Sequence, residues 1–195
     1  MLTIKTIGLF VFFLWGTHLV HGQQGIQINE KAPHFRAYDH KGSVINLDTI
    51  LNKNKVVLLF YRGQWCPYCN RHMSALQDSL HLITEKDARV IAITPEKNDA
   101  INQTLQKTNT SFSIIYDENH QIMDAYDVTF YLSKSKHLLY QSFGINVNKA
   151  SGNNDRALPV PATFIISEKG VVINRHFNKN YKVRMSVNEI LKSLE

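Results

Sequence analysis

One stretch constrains the fold more than any other: an apolar run that leads directly into a pair of cysteines. Residues 55–61 (KVVLLFY) are aliphatic, β-branched and aromatic without polar alternation, which is typical of a central strand buried on both faces. Residues 62–69 (RGQWCPYC) follow, and apolar side chains then recur every three or four positions, as in a helix with one inward face. Pro67 suits the first helical position, because its missing N–H would have no partner there. The sequence therefore places Cys66 at the N-cap of a helix that follows a buried strand.

The other apolar segments alternate between strand and helix patterns. Strands are predicted at 35–38, 88–94, 112–116, 162–167 and 171–176, and helices at 99–108, at 122–126 and from Ser186, as N-cap, to Leu194. Residues 129–156 are rich in Ser, Lys, Asn and Tyr and give no clear pattern. Strand–helix–strand–helix–strand followed by a hairpin and a helix predicts an α/β fold, a three-layer sandwich with a mixed central sheet flanked by helices.

The N-terminal segment, residues 1–22, has the features of a secretory signal peptide. Lys5 precedes an apolar run at 7–15, and compact residues precede a cut before Gln23. A retained membrane anchor is the alternative, but a span takes about 20 apolar residues, which this segment reaches only by including Lys5 and several polar positions. We therefore expect one exported domain, 23–195, periplasmic or secreted, with no stable membrane insertion after cleavage.

The two cysteines are better explained by reactivity than by structure. A bridge between Cys66 and Cys69 closes so short a loop that it stabilises little, whereas disulfides persist outside the cytosol. A helix N-terminus and Arg62, four residues upstream, favour the thiolate of Cys66, the reactive form of the thiol. Cys69 lies one turn on and in the apolar stripe, so we predict that Cys66 attacks and that the more buried Cys69 resolves the adduct. Trp65 is expected to shield the thiols and contact the substrate.

Other chemistries find little support. Cys66, Cys69 and His72 have a spacing that a metal could use, but no further cysteine completes a zinc site, and Asn70 in place of His excludes haem attachment. We predict no metal and no cofactor. The net charge of +6 reflects in part a basic cluster near the C-terminus, but no nucleic-acid motif accompanies it, so no nucleic-acid partner is expected. Glu96 is interpreted as a strand-end or N-cap residue rather than a proton acceptor.

The motif Trp-Cys-x-x-Cys after an apolar strand resembles the thioredoxin superfamily. From residue 32 to the last helix the chain resembles the peroxiredoxin-like branch of the alkyl hydroperoxide reductase/thiol-specific antioxidant (AhpC/TSA) family. The matching blocks are 60–69, 92–96 and 161–170. The resemblance implies a thioredoxin-like fold with a cis peptide bond before Pro161, which would leave an open strand edge beside Cys66. Thr163, two residues on, is expected to touch the site through its backbone, with its side chain part of the strand.

Two functions follow from this resemblance. In the first, Cys66 reduces a hydroperoxide, Cys69 condenses with the Cys66 sulfenic acid, and an external dithiol such as a thioredoxin-like protein reduces the disulfide. Peroxiredoxins carry Thr or Ser where this chain has Gly63, and an Arg near Pro161, and these two groups orient the peroxide. Their replacement favours the alternative, a thiol-disulfide oxidoreductase that exchanges disulfides with protein partners through the same cysteine pair.

Overall fold

The computed structural model describes residues 23–195, so the predicted leader at 1–22 lies outside the described residues. The strands are β1 (Arg36–Tyr38), β2 (Val44–Asn46), β3 (Lys55–Phe60), β4 (Ala88–Thr94), β5 (Ser113–Tyr116), β6 (Thr129–Tyr131), β7 (Ala157–Pro159), β8 (Ala162–Ile166) and β9 (Val172–Phe177). The helices are α1 (Leu47–Leu51), α2 (Pro67–Asp78), α3 (Leu80–Thr84), α4 (Asn98–Thr108), α5 (Gln121–Ala125), α6 (Lys134–Ser142), α7 (Val147–Ser151) and α8 (Val187–Ser193). Within this part of the chain, no helix has the length and apolar character that crossing a membrane requires.

A mixed five-stranded sheet forms the middle layer, in the order β5-β4-β3-β8-β9. Strands β3, β4 and β5 run parallel, with Lys55 opposite Ala88 and Ile91 opposite Ser113. β8 is antiparallel to β3, and β9 is antiparallel to β8. The carboxyl ends of the parallel strands therefore share one edge of the sheet, and β3 leads from that edge to the cysteines.

Helices cover both faces of the sheet. Alternate side chains of β3 point to opposite sides: Val56, Leu58 and Phe60 pack with α1 and α5, and Val57 and Leu59 pack with α2, α4 and α8. All five are at most 1% exposed, which explains why β3 has no polar alternation. The predicted three-layer sandwich is the observed architecture.

Helix α2 begins as predicted, with Cys66 as N-cap and Pro67 as the first helical residue. The apolar pattern continues to Ile83, but α2 ends at Asp78, because the backbone at Ser79 leaves helical geometry (φ −105°, ψ 10°) before α3 begins. The apolar stripe survives this break, since Met73 of α2 and Ile83 of α3 are buried in the same cluster.

The segment without a clear sequence pattern, 129–156, forms β6, α6 and α7. β6 pairs antiparallel with β7, with Thr129 opposite Pro159. A small core of Leu132, Val147 and Leu158 holds the segment together, and Trp65 packs against this core. The segment therefore lies against the cysteine loop.

The chain that enters β8 corrects one prediction. No peptide bond in the described chain is cis, so the bond before Pro161 is trans and the prediction of a cis bond was wrong. Val160 N–H donates to the Val128 carbonyl at 2.7 Å, and β7, just before it, is paired with β6. Residues 128–131 thus hold the extended chain before Pro161, so the predicted open edge is occupied there.

Candidate active site

A pocket of about 260 Å³ opens beside Cys66 at the carboxyl end of β3. Its walls come from the cysteine loop, from α6 and the residues after it, and from the segment before α8. The lining residues are Arg62, Trp65, Cys66, Pro67, Tyr68, Leu139, Tyr140, Phe143, Ile145 and Tyr181. Four residues selected from the sequence, Arg62, Trp65, Cys66 and Pro67, therefore meet in one pocket.

Three other predicted residues do not line this pocket: Cys69, Pro161 and Thr163. Pro161 is buried at the entry to β8. Thr163 is 1% exposed and lies opposite Leu59 of β3 and His176 of β9. The Thr163 side chain is part of the sheet.

The two sulfur atoms lie close enough to share a proton. Cys66 Sγ and Cys69 Sγ are 2.7 Å apart, and both residues are reduced and about 1% exposed. Only Cys66 of the two lines the pocket. Cys69 N–H donates to the Cys66 carbonyl at 3.0 Å, so the first turn of α2 fixes one sulfur beside the other.

The shared proton makes the two thiols titrate as a pair. Burial opposes ionisation of Cys69, but the hydrogen bond with Cys66 and the charge of Arg184 outweigh it and lower the pKa of Cys69 to about 6. The same hydrogen bond, together with burial, raises the pKa of Cys66. The sequence favoured the thiolate of Cys66, but in this pair the lowered pKa belongs to Cys69.

Arg184 is the site residue that the sequence analysis missed. Its Nη2 donates to Cys69 Sγ at 3.4 Å, and its Nη1 donates to the Val183 carbonyl at 2.7 Å. It belongs to the basic cluster near the C-terminus, which reads as a solvated face when only the sequence is considered. Only the fold brings it to Cys69, 115 residues away in sequence.

Arg62 carries a buried charge next to the pocket. It is 3% exposed, and its guanidinium lies over the rings of Trp65 at 4.8 Å and Tyr181 at 4.7 Å. Its Nη2 donates to the Tyr140 hydroxyl at 2.5 Å. Within residues 23–195 no carboxylate forms an ion pair with it, so the aromatic faces and the Tyr140 hydroxyl are the groups that stabilise its charge.

Gly63 and Glu96 explain why a peroxiredoxin-type Thr or Ser is missing here. Gly63 has φ +149°, and a Cβ built on it would overlap the Glu96 carboxylate and lie 2.7 Å from Trp65 Nε1. The space that a hydroxyl side chain would need is therefore filled by the carboxyl of Glu96.

Glu96 itself is a buried acid. It is 2% exposed, its Oε2 accepts from Gln64 N–H at 2.7 Å, and its Oε1 has no hydrogen-bond partner within residues 23–195. Burial raises the pKa of Glu96 to about 7 against the opposing effect of the Gln64 hydrogen bond. Glu96 was interpreted as a strand-end or N-cap residue. The N-cap interpretation was wrong, because the N-cap of α4 is Lys97, whereas Glu96 does lie near a strand end, two residues after β4.

His72, the third residue of the metal-like spacing, is buried, and in the described part of the chain neither of its ring nitrogens has a hydrogen-bond partner. Burial, and then the charge of Arg184, lowers the pKa of His72 to about 4. Across residues 23–195, no three His, Cys, Asp or Glu side chains are grouped as metal ligands.

Comparison with known proteins identifies the family. Residues 28–175 match the model of the AhpC/TSA family. The chain belongs to the AhpC/TSA family. Among curated relatives, this AhpC/TSA chain is similar to Peroxiredoxin Bcp of Bacillus subtilis, with 26% identity over 170 residues that cover 87% of this chain and 96% of the relative. It is also similar to Thiol-disulfide oxidoreductase ResA of Bacillus subtilis, with 23% identity over 153 residues that cover 78% of this chain and 68% of the relative.

Solved structures agree on the fold of this AhpC/TSA chain. Peroxidoxin BcpB from Mycobacterium tuberculosis superposes with a TM-score of 0.68 at 15% identity, covering 87% of this chain and 96% of that chain. A mutant form of PrxQ from Xylella fastidiosa superposes with a TM-score of 0.67 at 14% identity, covering 88% of this chain and 96% of that chain. The resemblance and the thioredoxin-like fold predicted from sequence are confirmed, and the protein is a thiol-dependent oxidoreductase.

Proposed function

We propose that this AhpC/TSA protein reduces hydroperoxides with Cys66 and is returned to its reduced form by an external dithiol. The observation that carries the proposal is the arrangement of the two sulfurs. Cys66 lines the pocket, and Cys69 lies 2.7 Å behind it with Arg184 on its other side. Cys66 Sγ is thus placed to react with the substrate, and Cys69 Sγ is placed to attack the oxidised Cys66.

In the resting pair the proton lies on Cys66 and the charge on Cys69; the peroxide step begins when this shared proton passes to Cys69 and leaves the charge on Cys66. The Cys66 thiolate attacks one peroxide oxygen, the O–O bond breaks, and the leaving alkoxide takes up a proton to become an alcohol. Sulfur loses two electrons and becomes a sulfenic acid. The buried charge of Arg62 faces this pocket, where it stabilises the negative charge that develops on the leaving oxygen.

The resolving step uses the second sulfur. The Cys69 thiolate, favoured by Arg184, attacks the sulfenic sulfur of Cys66, and the departing hydroxide takes a proton to become water. The product is a Cys66–Cys69 disulfide. A dithiol then donates two electrons and two protons to restore both thiols.

The test is rapid-mixing oxidation of the reduced protein by hydrogen peroxide and by an organic hydroperoxide, followed by disulfide formation. We expect oxidation orders of magnitude faster than that of a free thiol. Cys66→Ser should abolish it, and Cys69→Ser should accumulate a sulfenic acid that a sulfenate-specific reagent traps. Oxidation at the free-thiol rate would overturn the proposal.

A second candidate function is thiol–disulfide exchange with proteins. It is favoured by Glu96 filling the space of the peroxide-orienting hydroxyl and by Pro161 standing near the position of the family's arginine. To distinguish the two functions, the same reduced protein is mixed with a peptide disulfide and the rate of thiol–disulfide exchange is measured. Fast exchange combined with peroxide oxidation at the free-thiol rate would assign this function instead.

We further propose that residues 1–22 are a cleaved leader and that residues 23–195 work in the periplasm or outside the cell. The support is the basic start, the short apolar run and the compact residues before Gln23. Mass measurement of the protein made from the full chain should give a new N-terminus at Gln23 in the exported fraction. An intact N-terminus in the membrane fraction would indicate the anchored alternative.

A further inference from the structure

A second pocket lies between the cysteine loop, the start of α4 and helix α7. Its volume is about 260 Å³, and Cys66 is not among the residues that line it. Trp65 and Ile145 line both this pocket and the Cys66 pocket. We call it the α4–α7 pocket. It is separate from the reactive sulfur, but it shares one wall with the pocket in which that sulfur lies.

The α4–α7 pocket is held open by contacts of its own walls. Lys97 N–H donates to the Ala150 carbonyl at 2.9 Å and so joins the start of α4 to α7. Trp65 and Ile145 pack against the small core that holds the 129–156 segment together. Because these contacts need no ligand, the pocket is preformed, as small-molecule sites usually are.

Three charged side chains line the α4–α7 pocket: Lys97, Lys149 and Asp99. Within residues 23–195, none of the three is part of an ion pair. Two lysines and one aspartate leave one net positive charge. A singly charged anion neutralises this charge, whereas a doubly charged anion exceeds it and is repelled by Asp99.

Two further charged groups contact Gln64, which also lines the pocket. Lys107 Nζ donates to the Gln64 carbonyl at 3.2 Å, and Glu96 accepts from the Gln64 N–H at 2.7 Å. These two groups have opposite signs when both are ionised, so together they leave the net positive charge of the pocket unchanged.

The positive and the apolar side chains occupy different ends of the α4–α7 pocket. Lys97 and Lys149 also line an adjacent cleft on one side, whereas Trp65 and Ile145 also line the Cys66 pocket on the other. A molecule in the pocket therefore meets two ammonium groups at one end and an indole ring and an aliphatic side chain at the other. The volume lies below the roughly 300–1,000 Å³ of sites for drug-sized ligands, so the molecule is small.

We propose that the α4–α7 pocket binds a small monocarboxylate, with its carboxylate between Lys97 and Lys149 and its apolar body against Trp65 and Ile145. Charge-assisted hydrogen bonds from the two ammonium groups hold the carboxylate, and removal of the apolar body from water adds affinity. The inference goes beyond peroxide reduction and does not depend on it, because Cys66 is not part of this wall. A bound molecule also restrains Trp65, and with it one wall of the Cys66 pocket.

The experiment titrates the reduced protein of residues 23–195, which holds the whole described fold, with three probes in a calorimeter. Hexanoate has both features, hexanamide lacks the charge, and acetate lacks the apolar body. We expect a dissociation constant of about 1 mM or tighter for hexanoate, and binding at least about tenfold weaker for each of the other two.

Trp65 provides a second readout, because it is the only tryptophan in residues 23–195. Saturating hexanoate should lower the quenching of its fluorescence by acrylamide, since the bound apolar body covers part of the indole. The same concentration of hexanamide, which binds weakly, should leave the quenching unchanged.

Substitutions locate the binding site. Lys97→Gln and Lys149→Gln should each weaken hexanoate binding several-fold, and Asp99→Asn should strengthen it, because a like charge is removed. The matched control is Lys136→Gln, an exposed lysine of α6 outside this wall, which should leave the affinity unchanged. Ala150→Leu adds apolar volume to the wall and should abolish binding.

Several results would overturn the inference: equal affinities for hexanoate and hexanamide, an equal effect of the Lys136→Gln control, or no saturable binding of hexanoate. Tighter binding of inorganic phosphate than of hexanoate would also overturn it, since charge alone would then govern the site. Peroxide takes no part in these titrations, so failure of the proposed peroxidase function would leave their results unchanged.

Discussion

At the scale of residues, two arginines approach the sulfur pair and differ in what each can do. Arg184 touches Cys69 Sγ directly, whereas Arg62 is enclosed by Trp65, Tyr140 and Tyr181 and faces the pocket. The first therefore stabilises charge on the resolving sulfur, which also makes that sulfur a better leaving group when the disulfide is reduced. The second acts where the substrate oxygen becomes charged.

Replacing Arg184 tests its effect on the pair. Arg184→Gln removes the cation beside Cys69, so the lowered pKa of about 6 should rise by about one unit or more. The measurement is the ultraviolet absorbance of the thiolate of the reduced protein as pH is varied. Lys182→Gln, an exposed neighbour in the same basic cluster, is the control; an equal shift in both variants would mean that the contact does not matter.

Gly63 provides a second test at this scale. Gly63→Ala adds a Cβ that overlaps Glu96 at a backbone angle that L-residues rarely adopt, so we expect a loss of about 2–4 kcal/mol in the free energy of unfolding. Gly42→Ala is the matched control, because Gly42 also has positive φ (+78°) but nothing lies within 4 Å of its added Cβ.

Denaturant unfolding of Gly63→Ala and Gly42→Ala separates the cost of backbone strain from the cost of overlap between the added Cβ and the Glu96 carboxyl. The double variant Gly63→Ala/Glu96→Ala should lose less stability than the sum of its single changes, since removing the carboxyl makes room for the methyl group. Equal losses at Gly63 and Gly42 would show that the Glu96 contact contributes nothing.

At the scale of elements, α2 joins the chemistry to the core. Its first turn fixes Cys66 and Cys69, and its inward face continues as Met73 and Leu76, both fully buried. The helix is therefore held to the sheet by the same stripe that carries Cys69, so the position of the resolving sulfur depends on core packing. Helix α6, by contrast, buries only His137 and presents its apolar side chains to solvent.

The dependence on packing predicts a large effect of truncating Leu76. Leu76→Ala removes buried methyl groups and leaves a cavity, so we expect a loss of about 2–5 kcal/mol in the free energy of unfolding. Asp78→Ala, an exposed residue two positions on, should change it by less than about 0.5 kcal/mol. Urea unfolding measures both, and similar losses would mean that the stripe is not the anchor of α2.

At the scale of the whole molecule, one edge of the sheet assembles the site from three distant parts of the chain. The carboxyl end of β3 supplies the cysteine loop, the 129–156 segment supplies α6, and the segment before α8 supplies Tyr181 and Arg184. Glu96, two residues after β4, is buried against the cysteine loop and gives the global stability a dependence on pH.

That dependence has a defined sign. Because burial raises the pKa of Glu96 from 4.5 to about 7, the unfolded state loses this proton first, and the stabilisation present at low pH is lost as pH rises through about 7. Linkage gives roughly 3 kcal/mol for the full change. We therefore compare the free energy of unfolding of Glu96→Gln with that of the natural protein. This difference should be about 3 kcal/mol more favourable to the variant at pH 8 than at pH 4.5.

Denaturant unfolding at both pH values checks this expectation. Glu118→Gln, which removes an exposed carboxyl, serves as the control and should show no comparable gain. A Glu96→Gln variant whose relative stability is the same at both pH values would contradict the ionisation of a buried carboxyl.

Much of the fold was predictable because its signals are local. The unbroken apolar run of β3, Pro67 at the first position of α2 and Ser186 as the cap of α8 each act within a few residues of sequence, and the structure has all three. The 129–156 segment gave no such signal, because its elements are short and its apolar side chains are partly exposed.

The sequence by itself determined the junction of β3 and α2, and with it the proximity of Cys66 and Cys69. The apolar run of the strand, the proline at the helix start and one helical turn all depend on residues close together in sequence. Only the tertiary structure decided that Arg184 reaches Cys69 and that Glu96 fills the space over Gly63. It also decided that the bond before Pro161 is trans, that the chain there is paired, and that α6 lines the pocket beside Cys66. Each of these depends on contacts between segments far apart in the chain, which form only when the sheet and its helices pack together.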